Sequence, residues 1–236
     1  MIEWLKSVGQ SFYNAWVPER RYMAYFSGLK MTLLISLFAV IIGILIGVLI
    51  AVVRVTARAS KLKLIKVLDV ICRVYITVIR GTPMIVQIMI IYNLVFTSPN
   101  TNPVLVGAVC CGINSGAYVA EIIRAGITSI PVGQMEAGRS LGLTYVMTMR
   151  TIILPQAFKN ILPALGNEFI SLVKETSVIS VIAVNDLMKM AGYVGSRTWD
   201  VIPPYVIAAG IYLLMTLGLT WLMGRFEKMM AKSDRR

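Results

Sequence analysis

The 236-residue chain contains no histidine. That removes the commonest general base near neutral pH and the commonest nitrogen ligand for metals. Charge is scarce as well: Asp, Glu, Lys and Arg make up 14% of the residues, against about 25% in soluble domains. The three cysteines, Cys72, Cys110 and Cys111, lie inside apolar runs, are odd in number and lack metal-type spacing, so they read as small hydrophobes. No G-x-x-x-x-G-K-[S/T] stretch occurs, so the usual phosphate-binding loop is missing and any energy source must be a separate chain. Residues 1–20 lack the apolar core and small-residue cleavage site of a signal peptide. These gaps leave no catalytic residue and no metal site to nominate.

What is present is apolar: 57% of the residues, arranged in long runs. The formal net charge of +12 could suggest nucleic acid, but the basic residues flank apolar spans, as they do at the cytoplasmic edge of membrane proteins. Nucleic-acid binding is therefore a poor reading of this charge. Ile2, Leu5, Val8, Phe12 and Ala15 recur at helical spacing before Pro18, which predicts an interfacial amphipathic helix over residues 1–20. Met31 to Val53 carries no charge and is long enough to cross ~30 Å of hydrocarbon. Arg54, Arg58, Lys61, Lys63 and Lys66 follow it, so its exit is cytoplasmic and the N-terminus lies outside.

Further spans are expected over Lys66 to Thr97, Val104 to about Ile127, Ile161 to Val184, and Pro203 to about Gly224. Between them lie an outer turn, Ser98 to Pro103, and a mixed outer loop, Asn185 to Asp200, in which Gly192 and Gly195 allow a tight path. Arg225, Lys228, Lys232, Arg235 and Arg236 close the chain on the cytoplasmic side. The expected fold is thus all-α, a polytopic membrane protein of five transmembrane helices, N-terminus out and C-terminus in. Residues 21–236 form one transmembrane domain, and no solute-binding domain is fused to it.

Three stretches interrupt this pattern. Gln134 to Phe169 opens too polar to span a bilayer. Its first piece, Glu136-Ala137-Gly138-Arg139-Ser140-Leu141, breaks at Gly142, and its second, Val146 to Ile153, stops at Leu154-Pro155, since a residue before proline is pushed out of the helical region. A surface helix–turn–helix results, within a loop of about 129–160, of the kind offered to a partner. The second interruption, Arg80-Gly81-Thr82-Pro83, breaks a helix at membrane depth, where a break is tolerated only if buried in protein or lining a cavity. The third is a set of polar side chains by depth. Asn114 and Ser115 fall ~15 Å down the third span, with Tyr118 one turn deeper. Glu121 and Arg124 fall at its cytoplasmic edge, spaced as a helix-surface pair, and read as a structural ion pair. On the fourth span Glu168 lies just inside the boundary, and Lys174 and Glu175 lie ~16–18 Å in, where ionisable groups read as functional. Either they contact solute, or Lys174 pairs with Glu121 or Glu175 to fix helix packing.

These stretches resemble one family. Glu136-Ala137-Gly138, then Gly142, Ile152 and Leu154-Pro155 are similar to the EAA loop of ABC-importer permease subunits, with Gly138 where the family usually has a second Ala. Arg80-Gly81-Thr82-Pro83-x-x-Val86-Gln87 resembles the RGTP-x-x-VQ segment of polar amino acid importer permeases, with Thr77 where many members have Glu. Gly116-Ala117-Tyr118-x-Ala120-Glu121-x-x-Arg124 and Asn167 to Ser177 resemble further segments of that family. The resemblance implies that Glu136, Ala137, Gly138, Leu141 and Gly142 dock in a cytoplasmic ABC ATPase dimer. It also implies that ATP is bound there and not by this chain, which has no cofactor of its own. The implied partners are a second permease subunit, identical or different, an extracytoplasmic solute-binding protein and the bilayer of a bacterial inner membrane. The candidate translocation path comprises Arg80, Gly81, Thr82, Pro83, Gln87, Asn114, Ser115, Tyr118, Ser171, Lys174, Glu175 and Thr176. A channel would need no docking hairpin, and an intramembrane enzyme would lack chemistry. A non-transporting membrane partner of an ATPase is disfavoured by the midplane charges. Glu175 suits an ammonium and Lys174 a carboxylate, so the particular amino acid stays open.

Overall fold

The computed structural model describes residues 2–59, 61–96, 98, 101–182 and 184–233. Thr97, Pro99 and Asn100 at the first outer turn, Ala183 in the fourth span, and Arg235 and Arg236 at the C-terminus lie outside the described residues. Among the described residues every regular element is helical: α1 (Ile2–Trp16), α2 (Tyr22–Ala59), α3 (Lys63–Gly81), α4 (Met84–Val95), α5 (Pro103–Thr128), α6 (Val132–Ser140), α7 (Tyr145–Thr148), α8 (Leu154–Glu175), α9 (Leu187–Thr198) and α10 (Ile202–Ser233). A π turn, Met149–Ile153, joins α7 to α8, and a 3-10 stretch, Thr176–Ile182, follows α8. Three helices are long and apolar enough to cross a membrane, over Pro18–Ala57, Pro103–Thr128 and Ile202–Met230. The number reaches five when two bent pairs, α3 with α4 and Tyr145–Ile182 with α9, each count as one span.

Several sequence boundaries need correction. The first span is one turn or more longer at each end than Met31 to Val53, because Tyr22 to Lys30 and Arg54 to Ala59 hold no helix breaker apart from Gly28. The stop expected at Leu154-Pro155 does not occur: Leu154 has φ −62° and ψ −41°, fully helical. The π turn just before it is the reason. Helix α8 restarts at Leu154, so Pro155 sits in a first turn, where its missing N–H has no bond to break. The outer loop Asn185 to Asp200 is also mostly helix, α9, and Gly192 and Gly195 lie inside it. The break at Arg80–Pro83 is present: α3 ends at Gly81 and Thr82 is extended, at φ −123° and ψ 150°.

The chain divides into two compact units. The first comprises Met1–Ala39, Met84–Cys111 and Ile170–Thr220. Its core joins Ala15, Tyr25, Leu187, Ala191, Val194 and Ala208. Trp16 stacks on Tyr25 with centroids 5.5 Å apart, so α1 packs on protein along one side. Asp186, fully buried, caps α9 by accepting from the Met188 and Lys189 amides at 3.2 and 2.9 Å. Thr32 accepts from the Leu187 amide at 3.1 Å, and the Tyr212 hydroxyl donates to Asp186 at 3.4 Å. A carboxylate before Leu187, Ala191 and Val194, three apolar residues on one helix face, is the N-cap signal that a loop reading of this segment passes over.

The second unit comprises Val40–Pro83, Gly112–Phe169 and Trp221–Arg236. Here α2 meets α5 through Gly43 and Gly47, a small-xxx-small pair of the sort that lets membrane helices approach closely. A Cβ on Gly47 would lie 2.4 Å from Val119 Cγ1 and 2.9 Å from the Ala120 backbone nitrogen. Ile50, Ile76, Ala117 and Ala120 form the core beside this contact, and the Tyr75 hydroxyl donates to the Ile113 carbonyl. Gly47→Ala must therefore push α2 and α5 apart. Overpacking of this kind costs about 1–3 kcal/mol, so the detergent-solubilised protein should melt several degrees lower. Gly218→Ala on α10, where a Cβ meets nothing within 4 Å, is the matched control and should melt at or above the wild-type temperature.

Candidate functional site

The polar hairpin is built by α6, a four-residue turn and α7. Pro131, extended at ψ 134°, starts α6. Gly142, at φ +83°, ends it, with the Gly142 amide bonded to the Arg139 carbonyl and the Leu143 amide to the Gly138 carbonyl, both at 3.1 Å. Together these bonds make a Schellman cap, which needs a residue in the left-handed region, and glycine reaches it without Cβ strain. Thr144 then caps α7 by accepting from the Met147 amide at 3.2 Å. The two helices close on Gly138, where an added Cβ would lie 2.5 Å from Thr148 Cγ2. Gly138 is thus buried inside the hairpin, while Glu136, Ala137, Leu141 and Gly142 are exposed. Leu141 is 81% exposed and Val146 70%, large apolar side chains presented on a short polar knob.

The Glu121–Arg124 pair exists, with Arg124 Nε donating to Glu121 Oε1 at 2.8 Å. It is part of a larger network that sequence spacing did not expose. Arg54 on α2 lies 3.5 Å from Glu121 Oε2 and 3.6 Å from Asp69 Oδ1, and Arg73 Nε donates to Asp69 Oδ2 at 3.0 Å. Asp69 is only 6% exposed, and an unpaired charge so buried would cost about 3–5 kcal/mol. Arg54 ties α2, α3 and α5 together. Its position in a basic run after an apolar span suggested topology alone.

Within the second unit, Ser115 Oγ donates to Glu168 Oε1 at 2.8 Å, and the Arg80 guanidinium stands 5.2 Å over the Tyr118 ring. Four residues chosen or noted by depth and motif are thereby joined in two pairs. Gly43 makes room for Ser115, since a Cβ there would lie 2.9 Å from Ser115 Oγ. Asn114 is buried in the same unit. The Thr82 hydroxyl bonds to the Val78 carbonyl at 2.7 Å, closing the end of α3. Gln87, Ser171, Lys174, Glu175 and Thr176 belong to the first unit. There Gln87 is buried on α4, and Thr176 is buried and donates to the Val173 carbonyl at 2.8 Å. Lys174 and Glu175 are exposed at the end of α8, and no ion pair joins one to the other among the described residues. The Glu121 carboxylate is already held by Arg124 and Arg54.

Residues 43–232 match the family described as binding-protein-dependent transport system inner membrane component. The chain belongs to this family of permeases. It is 41% identical over 165 residues to the arginine transport system permease protein ArtQ of Bacillus subtilis (strain 168), covering 68% of this chain and 74% of that one. It is 38% identical over 206 residues to the putative glutamine transport system permease protein GlnP of Rickettsia bellii (strain RML369-C), covering 85% and 90%. A crystal structure of an amino acid ABC transporter with histidines matches with a TM-score of 0.79 and 47% identity, over 88% of this chain and 94% of that one.

Packing inside the hairpin makes the permease testable without its partners. Gly138→Ala should loosen the α6–α7 knob, seen as faster proteolysis between Pro131 and Pro155 and a Tm lower by a few degrees. Thr148→Ala removes the colliding methyl, so the double variant should recover most of the protection. Equal damage in the single and double variants would show that the contact with Thr148 is not what makes alanine costly at Gly138.

Proposed function

We propose that this permease forms the membrane pathway of a bacterial importer for polar amino acids. A separate cytoplasmic ABC ATPase dimer hydrolyses ATP, a solute-binding protein delivers the solute from outside, and a second permease subunit completes the pathway. The chain crosses the inner membrane five times, with its N-terminus outside and its C-terminus inside. It has no cofactor and no catalytic group of its own, and its N-terminal helix lies along the membrane interface. The observation that carries this reading is the capped α6–α7 hairpin with Leu141 and Val146 exposed on it. Short helices recognise a groove through a few such anchors. The names of the relatives, among them arginine, glutamine and L-cystine transport systems, support amino acids as the solute class.

In this reading Glu136, Ala137, Leu141 and Gly142 contact the ATPase, and Gly138 shapes the surface from within. Arg80, Gly81, Thr82, Pro83, Asn114, Ser115 and Tyr118 in the second unit are candidate path residues, as are Gln87, Ser171, Lys174, Glu175 and Thr176 in the first. The exposed acid at Glu175 suits an ammonium group, and the exposed base at Lys174 suits a carboxylate, the two charges every amino acid carries.

Two measurements test it. Glu136→Lys and Leu141→Asp should abolish copurification with the ATPase while leaving the melting temperature of the permease within about a degree, since both side chains are solvent-facing. Unchanged copurification of both variants would remove the basis for the assignment. Glu175→Gln is nearly isosteric and should raise the solute concentration needed for half-maximal ATPase stimulation about tenfold, equivalent to about 1.4 kcal/mol, with basal ATPase intact. Normal stimulation in both Glu175→Gln and Lys174→Met would make the pair a packing device.

A further inference from the structure

Beside the ion network, the second unit carries a groove of about 300 Å³. Val48, Val52 and Val55 of α2 form one wall, Ile123 of α5 a second, and Met149 and Leu154 a third. Val48, Val52 and Leu154 are exposed, so the trough opens outward from the unit. A smaller niche of about 10 Å³, room for one water, shares Ala51, Val55 and Ile127 with it and is lined also by Arg54, Arg124 and Thr128. An apolar trough therefore runs into a cationic niche.

The niche has charge and donors to spare. Among the described residues, Arg54, Arg73 and Arg124 form ion pairs with Asp69 and Glu121, three cations to two carboxylates. Arg124 binds Glu121 through Nε and Nη2, and Arg54 meets its two carboxylates through Nε and Nη1. Nη1 of Arg124 and Nη2 of Arg54 thus have no acceptor among the described residues. Both arginines lie near the ends of their candidate spans, Arg54 three residues before Ala57 and Arg124 four before Thr128.

We propose that the groove holds one anionic phospholipid, an acyl chain in the trough and the phosphodiester at the mouth of the niche, against the part-exposed side chains of Arg54 and Arg124. An open trough at membrane depth fills with hydrocarbon in any case, and the two guanidiniums supply the preference. A single phosphodiester charge matches the one cation in excess of the carboxylates, whereas a zwitterionic headgroup adds an ammonium beside two cations. Met149 and Leu154 flank the π turn between the hairpin and α8, so the bound chain braces the segment that joins the hairpin to the membrane helices. The site does not depend on which solute is carried.

Native mass spectrometry of the intact permease–ATPase complex tests the site. The complex is reconstituted in vesicles of equal phosphatidylglycerol and phosphatidylcholine and then released into detergent. The wild type should retain one phosphatidylglycerol per permease chain, favoured at least fivefold over phosphatidylcholine. Val52→Trp fills the trough from an exposed position and should reduce the retained lipid to background. Arg54→Gln leaves Asp69 with Arg73 and Glu121 with Arg124, and should equalise the two lipids. If Arg54→Gln does not fold, Val52→Trp decides alone. Excess glycerol 3-phosphate, a headgroup without a chain, should leave the count unchanged. Equal retention of both lipids by the wild type, unchanged retention in Val52→Trp, or displacement by glycerol 3-phosphate would overturn the proposal. So would loss of permease dimers in Val52→Trp at constant lipid count, which would assign the groove to a second copy of the chain.

Discussion

The second unit depends on how closely α2 and α5 approach, and that distance is set by two missing side chains. With lipid as solvent there is no hydrophobic force between helices, so contact must come from van der Waals packing and from polar groups that find partners. Gly43 and Gly47 give α5 a smooth face to lie against. At that separation Arg54, seven residues beyond Gly47 on α2, reaches Glu121 on α5, and Ser115 finds room beside Gly43 to donate to Glu168 on α8. A wider spacing would leave Asp69 and Glu121 with one fewer cation each, only Arg73 remaining for the first and Arg124 for the second. The glycines and the ion network are one device, the first making the second possible.

The hairpin is tied to that framework by continuity of helix. The chain from Tyr145 to Glu175 is helical throughout, with the π turn at Met149–Ile153 absorbing the mismatch that Pro155 would otherwise cause. The turn of residues 141–144 separates α6 from this helical run, and α7 leads into α8 without an extended residue between them. Asn160 adds a lateral tie by donating to Ser129 at 2.9 Å at the foot of the third span.

The first unit is organised around a different polar group. Asp186 is fully buried, and it is tolerated because its oxygens accept from two amides and from the Tyr212 hydroxyl. Those bonds start α9 at a fixed place, with Leu187, Ala191 and Val194 turned into the core against Tyr25. The segment that composition suggested was a loop is instead a helix fixed at its first turn. Buried hydrogen bonding outweighed the two glycines, each of which lowers helix propensity by about 1 kcal/mol.

The amino-acid sequence determined whatever follows from local backbone preference and from hydropathy over a helix length. Gly142 alone marks the end of α6, because a Schellman cap needs a left-handed residue there. Gly81 and Pro83 mark the break after α3, and the run from Met31 to Val53 marks a helix able to span a bilayer. The pair Glu121–Arg124 was legible for the same reason, being one turn apart on one helix. Only the tertiary structure decided that Arg54 reaches Glu121 and that Ser115 reaches Glu168, 67 and 53 residues apart. It also decided that Gly138 is buried, that α8 starts at Leu154 with Pro155 inside it, and that Asp186 caps a helix. Each of these outcomes turns on which helix lies alongside and at what distance, and that is a property of packing between segments, which no local pattern in the chain encodes.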